Sequence, residues 1–230
     1  MIRFFYNMAP NPMKVALFLE EAGLGYEAVA IDTRRGDQHS AAFRAINPNG
    51  KVPAIVDGDT VVFDSNAILL YLAEKTGQFL PPAGDASRGA LLSWLLFVAS
   101  GVGPFSGQAV HFRKFAPGEN PYALKRYDYE ARRHWGIVEE RLARHRWMLG
   151  DDYTIVDMAV WGWGSRLHYM LADEAIMARY PNLDRLMREI DARPAAQRAK
   201  ALERRHPFKV EFDEEAMRAL YPQIYAPDPA

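Results

Sequence analysis

Three short stretches of this chain place polar or backbone groups where chemistry could be done. Asn11 stands between Pro10 and Pro12, ahead of an apolar-periodic run from Met13 to Ala22. Asparagine is a favoured helix N-cap, and proline suits the first helical position because its missing amide would be unpaired there anyway. The spacing predicts a helix opening at Pro12 with Asn11 as its cap, so that the Asn11 amide and the first-turn amides face whatever sits above them. Asp64-Ser65 precedes a second helical pattern through Ala67–Glu74, with Ser65 as the expected cap. A hydroxyl and free amides at a helix N-terminus, which carries partial positive charge, can bind a carboxylate. A plain capping role is equally open, and the two can coexist because several amides there are free. Val52–Pro53 is the third stretch. A cis bond would expose the Val52 backbone beside a pocket, and a trans bond would open an edge strand.

Much other chemistry is excluded. The chain has 0 cysteines, which removes disulfide scaffolds, thiolate zinc sites, iron–sulfur clusters and a cysteine nucleophile. Redox sulfur chemistry would need a thiol brought by a ligand. His39, His111, His134, His145, His168 and His206 include no i,i+4 pair and no HExxH, so a metal site is not expected. Gly101-Val102-Gly103 lacks the third glycine of a dinucleotide loop, and no GxSxG elbow is present. The 28 basic and 29 acidic residues give a net charge of −1, too little field to recruit nucleic acid or an anionic membrane.

The 230 residues, 49% apolar and 25% charged, make an ordinary globular composition with room for one large domain or two small ones. MIRFFYNMAP does not read as a signal peptide. The most apolar stretch, Ala90–Gly103, is shorter than the ~20 residues of a membrane span and is read as a core helix. A cytoplasmic setting is the default, although a chain without cysteine fits any compartment.

Ile2–Tyr6, Tyr26–Ile31, Pro53–Val56 and Val61–Phe63 read as strands, the last two forming a hairpin around Asp57-Gly58. With helices over Met13–Ala22, Ala41–Ala45 and Ala67–Glu74, the order is βαβ and then ββα, a small mixed sheet with helices packed on it. Leu80-Pro81-Pro82-Ala83-Gly84 breaks the pattern. Beyond it only helical periodicity remains, over roughly 86–114, 121–146, 155–172 and 182–192, with more to about 204. Gly101, Gly103 and Pro104 should end or bend the first of these. Thr154-Ile155-Val156-Asp157 resembles a capping box with Asp in place of Glu. Trp161, Trp163 and Tyr169 have helical spacing and read as core, or as lining for an apolar cleft between the two modules. The expected layout is an α/β module over 1–80, a linker over 81–87, an all-α module over 88–206, and an aromatic-rich extension over 207–230 docked on the body or on a partner subunit.

Asn47-Pro48-Asn49-Gly50-Lys51-Val52-Pro53-Ala54-Ile55, Asp64-Ser65-Asn66-Ala67-Ile68-Leu69-Leu70-Tyr71-Leu72 and Thr154-Ile155-Val156-Asp157, in this order and spacing, resemble the cytosolic glutathione transferases over about residues 1–200. Ala9-Pro10-Asn11-Pro12, Gly107-Gln108-Ala109-Val110-His111-Phe112 and Asn120-Pro121-Tyr122-Ala123 narrow the likeness to the bacterial nu class. The resemblance implies a thioredoxin-like domain followed by an all-helical domain, a homodimer, and glutathione as co-substrate for disulfide reduction or for conjugation to a small-molecule electrophile, a detoxification chemistry. It implies a cis Val52–Pro53 bond, with Val52 pairing by backbone to the cysteinyl part of glutathione. It places the glutamyl carboxylate at Asp64 and Ser65, and contacts to the other carboxylate and the peptide backbone at Lys51 and Gln38. It sets Asn11 against the sulfur, where a helix terminus favours the thiolate.

The class commonly carries a Thr two residues before this Asn, where this chain has Ala9. A hydrogen bond to a charged group is worth about 1.5–3 kcal/mol, so its absence corresponds to roughly one to two pKa units in the bound thiol. Tyr6 carries a hydroxyl but sits on a strand and is not assigned to the sulfur. Gln108, His111, Arg132 and Arg133 match a region that can reach a second glutathione, partly across the dimer interface. Helix-face solvation of the arginines and a core hydrogen bond for His111 stay open beside it. From another class, a non-catalytic interaction module on the same fold also fits.

Overall fold

The structure, a computed structural model, describes residues 1–225; the end of the expected docked extension, 226–230, lies outside the described residues. Four strands, β1 (Ile2–Tyr6), β2 (Tyr26–Ala30), β3 (Ala54–Asp57) and β4 (Thr60–Phe63), form one sheet in the order β2-β1-β3-β4. β1 and β2 are parallel, with Ile2 opposite Tyr26, and the crossover between them is helix α1 (Pro10–Glu21). β3 lies antiparallel to β1 and makes a hairpin with β4, Ala54 opposite Phe63. Strand alternation divides the side chains between two faces. Phe4, Tyr6 and Ile55 join the main core under α1 and α3 (Ser65–Thr76). Phe5, Ala54 and Val56 meet Phe43 of α2 (Ala41–Ile46) on the other face.

Both helix starts differ from the sequence reading. α1 begins at Pro10 with Ala9 as N-cap, so Asn11 is not the cap. The first intrahelical bond to a backbone amide is Met13 N to Ala9 O, 3.3 Å. Pro10 and Pro12 therefore both fall among the opening positions whose amides have no helical partner, and neither is a barrier. α3 is capped by Asp64 rather than Ser65: Asp64 Oδ1 accepts from the amides of Asn66 (2.8 Å) and Ala67 (3.2 Å), and Ser65 is the first helical residue.

Helices α4 (Ser87–Phe97) and α5 (Gly103–Lys114) run on through a widened π turn, Val98–Val102, instead of breaking at the glycines. The turn makes room for His134. That ring lies stacked between Phe97 and Phe105, and a Cβ on Gly101 would come within 2.5 Å of it. Ser87–Lys114 is long and apolar enough to cross a membrane. Its buried stripe (Leu91, Leu95, Val98, Val102 and Ala109) lies in the main core, and its segments pack against α6 (Pro121–Arg144) and α7 (Ile155–Gly164). The stretch expected as one helix over 155–172 is two, α7 and α8 (Leu167–Leu171); α9 (Pro181–Asp191), α10 (Pro194–Ala201), α11 (Glu214–Leu220) and α12 (Pro222–Tyr225) follow.

α7 starts with the capping box seen in the sequence. Thr154 Oγ1 accepts from Val156 N (3.3 Å), and Asp157 Oδ2 accepts from Thr154 N (2.8 Å). Asp157 Oδ1 also accepts from Met148 N (2.8 Å), tying the loop before α7 to the helix. α1 is buried from Pro12 to Leu19 because it touches both halves of the molecule, α3 on one side and α7 and α10 on the other.

Candidate functional site

The sheet topology gathers the candidate residues at one end. The carboxyl end of β1 feeds α1, the carboxyl end of β4 feeds α3, and Pro53 precedes β3 directly across from that junction. Two helix N-termini and the Val52–Pro53 backbone thus converge. The Val52–Pro53 bond is cis, the first of the two alternatives the sequence left open.

Asn11 lies in the first turn of α1. Its Oδ1 accepts from Trp163 Nε1 of α7 (3.0 Å) and from Ser65 Oγ of α3 (3.3 Å). Ser65 is buried and its hydroxyl oxygen in turn accepts from Lys14 Nζ (3.2 Å). Lys14 also donates to Asn66 Oδ1 (3.4 Å). This lysine is only 1% exposed, and burial drives its ammonium down to about 7, with Asp64 pulling weakly the other way. A lysine next to neutrality inside a cluster of hydroxyl and amide groups is unusual, and such groups concentrate at functional sites. Asp64 holds φ +71°, a left-handed conformation that an aspartate keeps only where its surroundings enforce it.

Glycine makes the cluster possible. A Cβ on Gly162 would lie 2.6 Å from Lys14 Cγ and 2.6 Å from Pro10 O. Gly162→Ala is expected to destabilise the fold by about 1–3 kcal/mol, because the backbone carbonyl cannot yield, and to push Lys14 off Ser65. A urea unfolding curve checks the first effect. The midpoint should fall with an unchanged slope.

Lys51 is exposed, while Gln38 is buried. The Asn47 side chain fixes the intervening turn, donating from Nδ2 to Lys51 O (2.6 Å) and accepting at Oδ1 from Asn49 N (3.0 Å). Gly50, at φ +61°, packs against the Gln38 carbonyl, so Gln38 and the Lys51–Pro53 stretch are neighbours. Gln38 Nε2 donates to Thr33 O (3.1 Å) and Ala219 O (2.9 Å), while its Oε1 is buried without a partner. An orphaned acceptor near the turn that leads into β3 is one that an incoming N–H donor would satisfy.

The helical-module candidates are more scattered. Trp163 lies against Gly103 and Gly107 of α5. His111 is one turn beyond Gly107 on the same stripe, partly buried, its imidazole pKa lowered by burial, with the Tyr221 ring 4.8 Å away. No hydrogen bond of the His111 ring is found among the described residues, contrary to the core-bond alternative. Gln108 is exposed. Arg132 pairs with Asp128 on its own helix (2.8 Å), and Arg113 grips the same carboxylate. Arg133 is exposed and pairs with Glu130 (2.8 Å). These ion pairs are the helix-face role left open for the arginines. Tyr6 is buried, its hydroxyl on His206 Nδ1 (2.8 Å) and Leu202 O (3.3 Å), turned away from the Asn11 cluster.

The segment after Pro207 touches both the stretch after β2 and the end of α5. Lys209 N donates to Asp32 Oδ2 (2.7 Å), Phe212 lies under the Arg34 guanidinium (3.9 Å), and Tyr221 meets His111 and Phe115 of the α5 end. Lys14 and Asn66 were not candidates from the sequence, and Trp163 was named only as core or as lining for an apolar cleft. The i+3 spacing of Lys14 from Asn11, in a stretch otherwise apolar from Pro12 to Leu19, was the available signal.

Among the described residues no group of three or more His, Asp and Glu side chains could hold a metal ion. What converges is two helix N-termini with polar side chains beside them, an arrangement suited to an anionic ligand.

Comparison with known proteins agrees with this geometry. Residues 3–74 match the glutathione S-transferase N-terminal domain and residues 121–189 the C-terminal domain. The disulfide-bond oxidoreductase YfcG of Escherichia coli is 40% identical over 206 residues, covering 86% of this chain and 94% of its own. YghU of the same organism is 38% identical, covering 85% and 72%. A glutathione transferase family member from Pseudomonas fluorescens, solved with two glutathiones bound, superposes with a TM-score of 0.81 at 36% identity, covering 86% and 91%. One from Pseudomonas putida, with one glutathione disulfide bound per subunit, gives 0.80 at 33%, covering 86% and 90%. With both domains of the family matched in order and relatives of 38–40% identity aligned over most of their length, this chain belongs to the glutathione S-transferase family.

Proposed function

We propose that this protein is a glutathione-dependent disulfide-bond oxidoreductase, with conjugation of glutathione to electrophiles as a secondary activity. The observation that carries the reading is the Asn11 amide in the first turn of α1, held by Ser65 and Trp163 in a chain with no thiol of its own. Its Nδ2 group and the helix terminus stabilise a ligand's thiolate. The backbone amide of Ser65, at the start of α3 beside Asp64, takes the glutamyl carboxylate. Val52 pairs by backbone with the cysteinyl residue, and Gln38 Oε1 and Lys51 meet the rest of the tripeptide. Glutathione supplies the sulfur chemistry: one thiolate displaces a substrate sulfur, a second displaces the remaining substrate thiolate, and two thiols are oxidised as one disulfide is reduced. His111 and Gln108 of α5 face the second molecule.

The relatives' names support disulfide reduction as the main activity. The bound pair of glutathiones in one neighbour and the bound disulfide in another support a two-thiol cycle. A homodimer is part of the reading. Val61 and Phe63 on β4 and Leu92 and Leu96 on α4 are exposed apolar side chains that a second subunit would cover. So is a cytoplasmic setting, where the glutathione pool is reducing enough to sustain turnover.

Parallel calorimetric titrations with reduced and oxidised glutathione test it. Tight binding of the disulfide, or two reduced molecules per subunit, is the expected result. One weakly bound reduced molecule would make the protein an ordinary transferase, and no heat at millimolar ligand would remove the enzymatic reading.

The N-cap position offers a gain-of-function check. Ala9→Thr adds a hydroxyl at the terminus of α1, where the wild-type cap makes no side-chain hydrogen bond. The bound thiol's pKa is expected to fall by roughly one unit, the equivalent of one charged hydrogen bond of about 1.5 kcal/mol. Thiolate ultraviolet absorption against pH reads it.

A further inference from the structure

We propose that Trp163 and Lys14 are positioning residues that fix which way the Asn11 amide faces, so that its Nδ2 hydrogens point at the ligand sulfur. The proposal rests on the role given to Asn11 above. The four side chains form one chain of hydrogen bonds, Lys14 Nζ to Ser65 Oγ, Ser65 Oγ to Asn11 Oδ1, and Trp163 Nε1 to Asn11 Oδ1. An asparagine amide by itself has two nearly isosteric orientations, one presenting donors and the other an acceptor. Only the first can stabilise a thiolate. The second would set a carbonyl oxygen against it.

Both ends of this chain donate, the indole in every state and Lys14 as its ammonium. The indole Nε1–H has no acceptor capacity, so whatever faces it must be Oδ1. The ammonium has none either, so it occupies a lone pair of Ser65 Oγ and leaves that hydroxyl's hydrogen for Asn11 Oδ1. The indole N–H and the seryl O–H therefore both donate to one oxygen, and the amide nitrogen is left facing out of the cluster. Flipping the amide would set its NH2 group against the indole N–H and the seryl O–H at 3.0 and 3.3 Å.

The indole is itself held. Gly103 and Gly107 of α5 admit its edge, and a Cβ at Gly103 would lie 3.0 Å from Nε1. Lys14 is held by the absence of a side chain at Gly162. Charge adds to direction. When protonated, Lys14 lies behind Ser65 and Asn11, with Asp64 as the charged group acting on it. A thiolate in front of Asn11 would hold that proton on more firmly, and the buried cation would in turn favour the thiolate.

Trp163→Phe keeps an aromatic ring against α5 and deletes the N–H. The expected result is a bound reduced-glutathione thiol that titrates higher. The acid limb of the kcat profile for disulfide reduction should shift with it, and kcat at neutral pH should fall roughly three- to tenfold, the value of one lost hydrogen bond. The KM for glutathione should stay within about twofold, since the groups that bind its carboxylates and backbone are untouched. In an Asn11→Ala background the same substitution should have no further effect on the thiol, because there is no amide left to orient. Lys14→Met, which removes the donor at the other end, should move the thiol in the same direction and serves if the tryptophan variant fails to fold.

A Trp163→Phe protein whose bound thiol titrates like the wild type, or whose defect persists undiminished without Asn11, overturns the proposal. If Asn11→Ala itself leaves the thiol unchanged, it is the assignment of Asn11 to the sulfur that has failed, and the orienting role fails with it.

Discussion

Asn11→Ala is expected to lower the rate of disulfide reduction by one to two orders of magnitude while leaving glutathione bound. The thiolate loses a charge-assisted hydrogen bond worth about 1.5–3 kcal/mol, and each 1.4 kcal/mol is roughly tenfold. The α1 terminus remains, so activity is weakened rather than abolished. Glutathione affinity changes little, because Ser65, Val52 and Gln38 hold other parts of the tripeptide. The measurement is kcat/KM for a small disulfide beside a calorimetric dissociation constant for reduced glutathione. A variant as fast as the wild type would take Asn11 out of the reaction.

The largest stability loss is expected at Asp157, which is fully buried and accepts from Met148 N, Thr154 N and Thr154 Oγ1. Asp157→Ala strands two buried backbone amides at about 1–3 kcal/mol each, so a total near 3–5 kcal/mol is expected and a urea titration will read it. The loss depends on pH. Burial outweighs the three donors and pushes the Asp157 carboxyl up from 3.8 to about 7. Between those values the folded chain keeps a proton that the unfolded chain releases, so this group's contribution is complete at low pH and declines as pH rises through the window. The gap between wild type and variant should therefore be wider near pH 4 than near pH 8. A gap that widened with pH would mean the carboxylate is held ionised by its donors.

The β1–α1–β2 crossover, the Asp57-Gly58 hairpin and the Thr154–Asp157 box were legible in the sequence because each is a local pattern. The same holds for Asp64-Ser65 at the start of a helix. What local pattern could not decide was which residue caps, since Ala9-Pro10-Asn11-Pro12 tolerates a helix start at either proline. It also could not show Lys14 and Trp163 as parts of the site. Their partners are 51 and 152 residues away along the chain, and an apolar helix with one lysine, or a tryptophan at core spacing, looks the same with or without them. Gly101 and Gly103 read as breakers for a similar reason. The ring that fills the widened turn belongs to His134, on another helix.

α1 is shared by the strands and the bundle, and that denies the molecule a hinge. Leu17, Phe18 and Leu19 sit in one continuous core with residues of both halves. Swinging one half away from the other would strip that helix on one side and expose apolar surface at about 25 cal/mol per Å². The wall that carries Asn11 is for this reason as stiff as the core itself. For the proposed reaction, exchange of substrate and product is expected at the rim, where Tyr221 meets His111 and Phe212 lies under Arg34, rather than by any opening of jaws. The Asn11 amide is thereby fixed in the frame, and any ligand has to come to it.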